Sequence, residues 1–206
     1  MSKKSTIDSE DNSFCVHCTG TVSNAHFGQQ DGNGLYCRYV FHFGPDWIVL
    51  NGIDTGLSQT AKSNPNHLEE GIVWNFPIDV TFKSTNVHGW PRIAMSVYGI
   101  DFLGRDIVKG YASVLVPLSP GQHTLSVACF TPLAASWLSQ WSNWLWGNPP
   151  EFFDSKFVAQ AEGREVTRVQ NTGSISLILN VTTKGMQNAG YAINDTAFVN
   201  SISSEC

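Results

Sequence analysis

Cys15-Val-His-Cys18 sets two thiols at the spacing used by redox pairs and by half of a zinc site. A zinc site needs a second ligand pair at matching spacing, and the sequence offers none. A redox pair needs a helix N-terminus to hold a thiolate, whereas this pair lies in a stretch that alternates like a strand. Cys15 and Cys18 then point to opposite faces, so neither chemistry is expected of them. The six His are scattered, with no pair at metal-ligand spacing. Gly28-Gln-Gln-Asp-Gly-Asn-Gly34 has no Lys and no helix behind it, so it is not a phosphate loop. No Gly-x-Ser-x-Gly elbow occurs. The carboxylate clusters worth weighing are Glu69-Glu70 and the pair Asp101 and Asp106. A hydrolase needs nucleophile, base and orienting group together, and no such set can be drawn from this chain. The expected function is not enzymatic.

The totals narrow the class further. The chain has 206 residues, enough for one domain with short appendages. Hydrophobic residues make up 42%, which supports a real core, while charged residues are only 14%. A net charge of -5 and 12 basic residues argue against nucleic acid and against a polybasic membrane anchor. Residues 1–13 are polar, so no secretory signal is expected. No run approaches the ~18 apolar residues of a membrane span. A cytoplasmic protein with reduced thiols follows, and five Cys, an odd number, fits that reading. Asn180-Val-Thr and Asn194-Asp-Thr match the glycosylation triplet but have no use in that compartment.

The elements that must position any site are strands. Phe14, Val16 and Cys18 alternate with polar neighbours, as do Leu35, Cys37, Tyr39, Phe41 and Phe43. Trp74, Phe76, Ile78, Val80 and Phe82 form a third apolar row, and Ile93, Met95 and Val97 a fourth. Ser84 to Gly89 supplies turn residues between those two, so they are expected to pair as a hairpin. Further strands are expected over Gly110–Leu118, His123–Phe130 and Ser174–Thr182, with a polar loop over about residues 51–67. This predicts an all-β antiparallel sandwich of about eight strands. One segment differs: Trp137, Trp141 and Trp144 share a helical face, and Asn148-Pro149-Pro150 ends it. Such a helix could cover a sandwich edge, contact a partner or lie on a membrane. Residues 1–12 read as a disordered start, 13–185 as the domain and 186–206 as a flexible tail.

The wording of the strands adds a resemblance. WNFPIDVTFKST (Trp74 to Thr85) followed by Gly89-Trp-Pro, and VAQAEGREVTRV (Val158 to Val169), resemble the B9-domain proteins of the ciliary base. The resemblance runs from about Phe14 to Gly185. It implies a C2-like β-sandwich at the ciliary transition zone, beside the basal body. It implies a scaffold role in the tectonic-like (Meckel syndrome) complex, needed for ciliogenesis and for gating membrane proteins into the cilium. Its partners there would be other B9-domain proteins, namely B9 domain-containing protein 2 and the Meckel syndrome type 1 protein, with transition zone membrane proteins contacted indirectly. Candidate contact residues are Trp137, Trp141 and Trp144, and the alternating charges Arg164, Glu165 and Arg168.

Val97 to Gly110 also resembles the third loop of C2 domains, which holds calcium through several carboxylates. Asp101 fits one ligand position, Gly104 the glycine, and Asp106 arrives one residue early; Gly99 replaces another Asp. Asp46 and Asp54 are the carboxylates available where the second calcium loop would lie. These are too few for tight binding, so Asp101 and Asp106 are expected to be a calcium-loop remnant, with no metal or cofactor required. The alternative function is a calcium-independent lipid-binding C2 module docking on the ciliary base membrane.

Overall fold

The computed structural model describes residues 13–28, 34–63, 71–101, 103–132, 169–187 and 189–191. These hold nine strands in chain order: β1 (Phe14–His26), β2 (Leu35–His42), β3 (Trp47–Gly52), β4 (Thr55–Leu57), β5 (Ile72–Ser84), β6 (Arg92–Ile100), β7 (Asp106–Leu115), β8 (Gly121–Pro132) and β9 (Val169–Lys184). All pairings are antiparallel, in the order β3-β5-β1-β9-β8-β7-β6-β2-β4. The ladder thins to a single residue pair, Tyr111 with Phe130, between β7 and β8. The sheet folds there into two layers, β3-β5-β1-β9-β8 and β7-β6-β2-β4, which pack face to face.

Each layer turns its alternating apolar row inward. Phe14, Val16 and Cys18 on β1, Ile78, Val80 and Phe82 on β5, and Ile175, Leu177, Leu179 and Val181 on β9 are buried from one side. Leu35, Cys37, Tyr39 and Phe41 on β2 and Ile93, Met95 and Val97 on β6 meet them from the other. Aromatic rings bridge the layers: Phe41 and Phe43 each lie 5.3 Å from Phe82, and Tyr39 lies 5.8 Å from Phe76. Such pairs add to the burial of their area.

The β5–β6 connection corrects the sequence reading. These strands do not pair: β5 joins β1 and β3, whereas β6 joins β2 and β7. Residues 85–91 cross from one layer to the other, so the apolar rows on either side of the turn face each other instead of sharing a sheet. The crossing is held by its own signature. Trp47 Nε1 donates to the His88 carbonyl at 2.8 Å, and Trp90 Nε1 to the Val116 carbonyl at 2.9 Å. The two indoles meet edge to face at 5.1 Å. Gly89 (φ 73°) and Gly44 pack backbone on backbone, and a Cβ on Gly89 would lie 2.5 Å from the Gly44 Cα. The Gly-Trp-Pro string is thus a structural clamp.

The expected loop over about residues 51–67 is corrected as well. The end of β3 and all of β4 lie in its first part, and the two strands are on opposite edges of the ladder. The chain between and after them is a strap from one layer to the other. Ile53 N–H donates to the Asp79 carbonyl of β5 at 3.2 Å, and the Asp54 carbonyl accepts from Phe41 N–H of β2 at 2.7 Å. Ser58 and Cys37 exchange two bonds, Ser58 N–H to the Cys37 carbonyl and Cys37 N–H to Ser58 Oγ. Gln59 reaches back to β5, donating to the Trp74 carbonyl at 2.7 Å, and Trp74 Nε1 donates to the Leu35 carbonyl at 3.0 Å. The part of β5 beyond the end of β3 carries Pro77, a residue that suits an edge because it has no N–H to leave unpaired. The expected Trp-rich helix at Trp137–Trp144 lies outside the described residues. The packed unit runs past residue 185: Met186 is buried and Tyr191 lies 5.6 Å from Phe14.

Gly56 is the tight point of the strap. A Cβ there would fall 2.6 Å from Tyr39 and 2.7 Å from Phe76, both core rings. Gly56→Ala should therefore cost about 1–3 kcal/mol through overpacking. Urea denaturation checks this; a loss within a few tenths of wild type would show that the seam has slack.

Candidate functional site

Asp101 and Arg105 close the β6–β7 loop, and their geometry answers the calcium question. Asp101 Oδ1 accepts the backbone N–H of Leu103 at 2.8 Å and of Arg105 at 2.9 Å. Oδ2 accepts from Arg105 Nε at 2.9 Å and lies 2.8 Å from Nη2, so this one oxygen takes both arms of the guanidinium in a charge-assisted pair. The chain itself supports the turn, with Asp101 N–H donating to the Arg105 carbonyl and Gly104 N–H to the Asp101 carbonyl. Both carboxylate oxygens are engaged by the loop. A guanidinium fills the role a cation would have. Asp106 stands apart, at the exposed start of β7 opposite Ile100. Among the described residues no three His, Cys, Asp or Glu side chains are grouped to hold a metal.

The electrostatics follow the same contacts. The Asp101 carboxyl is held below its ordinary range, first by the Arg105 backbone N–H; desolvation, next in size, opposes this, and the Arg105 side chain and the Leu103 N–H add to the lowering. Lys109 beside it is pulled down by burial of its ammonium, and the Asp101 charge partly restores it. The loop carries Ile100 and Leu103 exposed at its tip.

The Cys15–Cys18 reading holds at the level of geometry. Cys18 is fully buried on the core face and Cys15 lies half-buried on the other. Burial pushes the Cys18 and Cys129 thiols up to about 12, and raises Cys37 through burial and the neighbouring Cys129. Thiols so raised stay protonated and inert near neutral pH. Trp137, Trp141, Trp144, Arg164, Glu165 and Arg168 lie outside the described residues.

One surface was missed by the sequence reading. Ile48, Leu50, Ile53 and Leu57 are 56%, 56%, 65% and 58% exposed along β3 and the strap. Among the described residues β3 pairs only with β5, so its other edge has no strand partner there. The available signal was the unbroken run Trp47-Ile-Val-Leu50, too long to be loop and too uniformly apolar to alternate.

The loop predicts its own pH dependence. The folded-state pKa of Asp101 is depressed, so its contribution is in place above the ordinary carboxylate range of ~3.9 and fades as pH falls through the lower folded value. In NMR titrations, the Leu103 and Arg105 amide signals should hold steady down to about pH 4 and shift only below it. Asp101→Asn should disturb them at neutral pH, and millimolar calcium should leave them unmoved. Calcium-dependent shifts would refute the ion-pair account.

The family model for the ciliary basal body-associated B9 protein (B9-C2) matches residues 16–182. The chain is 49% identical to mouse B9 domain-containing protein 1 over 178 residues, covering 86% of each chain. It is 48% identical to the human protein of that name, again with 86% of each covered. Zebrafish B9 domain-containing protein 2 is 29% identical over 164 residues, covering 80% of this chain and 90% of its own. A solved C2 domain of plant extended synaptotagmin 1 aligns over 82% of this chain and 93% of its own, at 12% identity and a TM-score of 0.35. The family-model match over residues 16–182 and the relatives at 49% and 48% identity make the chain a member of the B9 protein family, described as ciliary basal body-associated.

Proposed function

We propose that this chain is a non-enzymatic scaffold subunit at the ciliary transition zone, where it assembles with other B9-domain proteins. The single observation that carries the reading is a well-packed sandwich that nevertheless leaves an apolar sheet edge in solvent. Its charged loop is closed by an internal ion pair and its buried thiols are inert, so its surface is what it has to offer. In this reading the partners are B9 domain-containing protein 2 and the Meckel syndrome type 1 protein. The assembly supports ciliogenesis by controlling which membrane proteins enter the cilium.

A second reading rests on Ile100 and Leu103, 44% and 61% exposed on a loop whose Asp101 is bonded within the loop itself. They would suit shallow, calcium-independent docking on a lipid surface.

Co-expression with those two B9-domain proteins, followed by size-exclusion chromatography, separates the readings. The scaffold predicts one stoichiometric peak. A folded monomer eluting apart from both, and floating with lipid vesicles, would favour the membrane module instead.

A further inference from the structure

The β3 edge differs from the way sheet edges are ordinarily protected. Natural edges carry Lys, Pro or inward-pointing charge, are short or bulged, or are covered, because unpaired N–H and C=O groups invite another strand; β3 has only its shortness and one bulge. On β5 that protection is visible, with Pro77 and the strap alongside it. On β3 the same positions hold Ile48, Val49 and Leu50. A register shift between Val49 and Asn51 leaves Leu50 as the extra residue. The bend does not bury it: Leu50 is as exposed as Ile48.

Charge frames this strip. Asp46 precedes β3 and is exposed, with one oxygen 3.4 Å from the Asn86 amide. Asp54 follows β3 by two residues, and Asp79 on β5 is exposed where Ile53 joins it. The cations of the region are Lys83, opposite Ile48 and already engaged, and Arg38, opposite Leu57 on the far side of the strap. The strip is therefore apolar over Ile48–Leu50 and again at Ile53, broken by Asn51 and Gly52, with Asp46 before it and Asp54 after it.

That pattern selects the occupant. A second copy running antiparallel and centred on Leu50 would set Asp46 against Asp54 at each end, and like charges opposite one another destabilise a strand pair. An anionic membrane would meet the same carboxylates. We propose that the free edge of β3 accepts an extended strand from a different protein, with apolar side chains along it and Lys or Arg at its ends. Main-chain hydrogen bonds would add the strand to the β3-β5-β1-β9-β8 layer, Ile48 and Leu50 would supply the apolar contact, and Asp46, Asp54 and Asp79 would favour basic ends and exclude acidic competitors. The inference rests on the scaffold reading for its setting, but its test does not depend on that assembly.

The probe is a short synthetic peptide alternating valine and threonine, capped at each end by two lysines. Its control has glutamates in place of the lysines. Titrated into the full chain and followed by NMR, the lysine peptide should shift amide signals of residues 47–54. The glutamate peptide should bind about tenfold more weakly or worse. The double variant Ile48→Asp with Leu50→Asp, both solvent-facing positions, should keep the wild-type melting temperature and lose the peptide. Leu118→Asp, another exposed apolar position, should bind it unchanged. No binding of the lysine peptide, equal binding of both peptides, or shifts confined to other strands would each overturn the proposal. Peptide binding without co-elution with the B9-domain proteins would sink the scaffold reading and leave this one standing.

Discussion

The fold depends on closure of one seam. Two apolar layers joined by a single residue pair at Tyr111 and Phe130 would splay open on the other side. The strap from Ile53 to Ala61 prevents this by bonding to both layers in turn, to Asp79 and Trp74 on β5 and to Phe41, Cys37 and Leu35 on β2. Gly56 lets the strap lie directly on Tyr39 and Phe76, where no side chain would fit. Tyr39 and Phe76 in turn belong to the ring stack that fills the space between the layers. Everything outside the seam follows from it: β3 is left on the rim because the chain must leave β5 there to cross.

The loop ends are closed in the same internal way. At one end, two indole N–H groups and a glycine-on-glycine contact tie residues 85–91 to the start of β3 and the end of β7. At the other, a carboxylate that could have faced a cation is taken up by its own loop, held by Arg105. Loops closed by their own side chains in this way are held rigid from within.

The alternating strands were legible in the sequence because each is buried on one face only. Phe14-Val16-Cys18 and Leu35-Cys37-Tyr39-Phe41 print that burial directly as period two. β3 and β4 were not legible. β3 shows apolar residues to both sides, and β4 is three residues whose place is set by bonds to β2, not by its own propensity. The β5–β6 pairing failed for a related reason. A short turn with Gly89 fits a hairpin and a layer crossing equally, and what decides is Trp47 meeting Trp90 from distant parts of the chain. For the candidate site, the sequence located Asp101 and its incomplete ligand set, but the partner that neutralises it, Arg105, emerged only from the geometry.

Native-state hydrogen exchange on the free chain tests the central claim, that the strap closes the sandwich and leaves β3 as its open rim. The donors that pin the seam, Phe41, Ile53, Ser58 and Ala61, should exchange slowly, near the rate of the β1–β9 core. The β3 amides that face away from β5 should exchange fast. A strap that opens as readily as the β3 rim, or a β3 rim as protected as the core, would contradict the account.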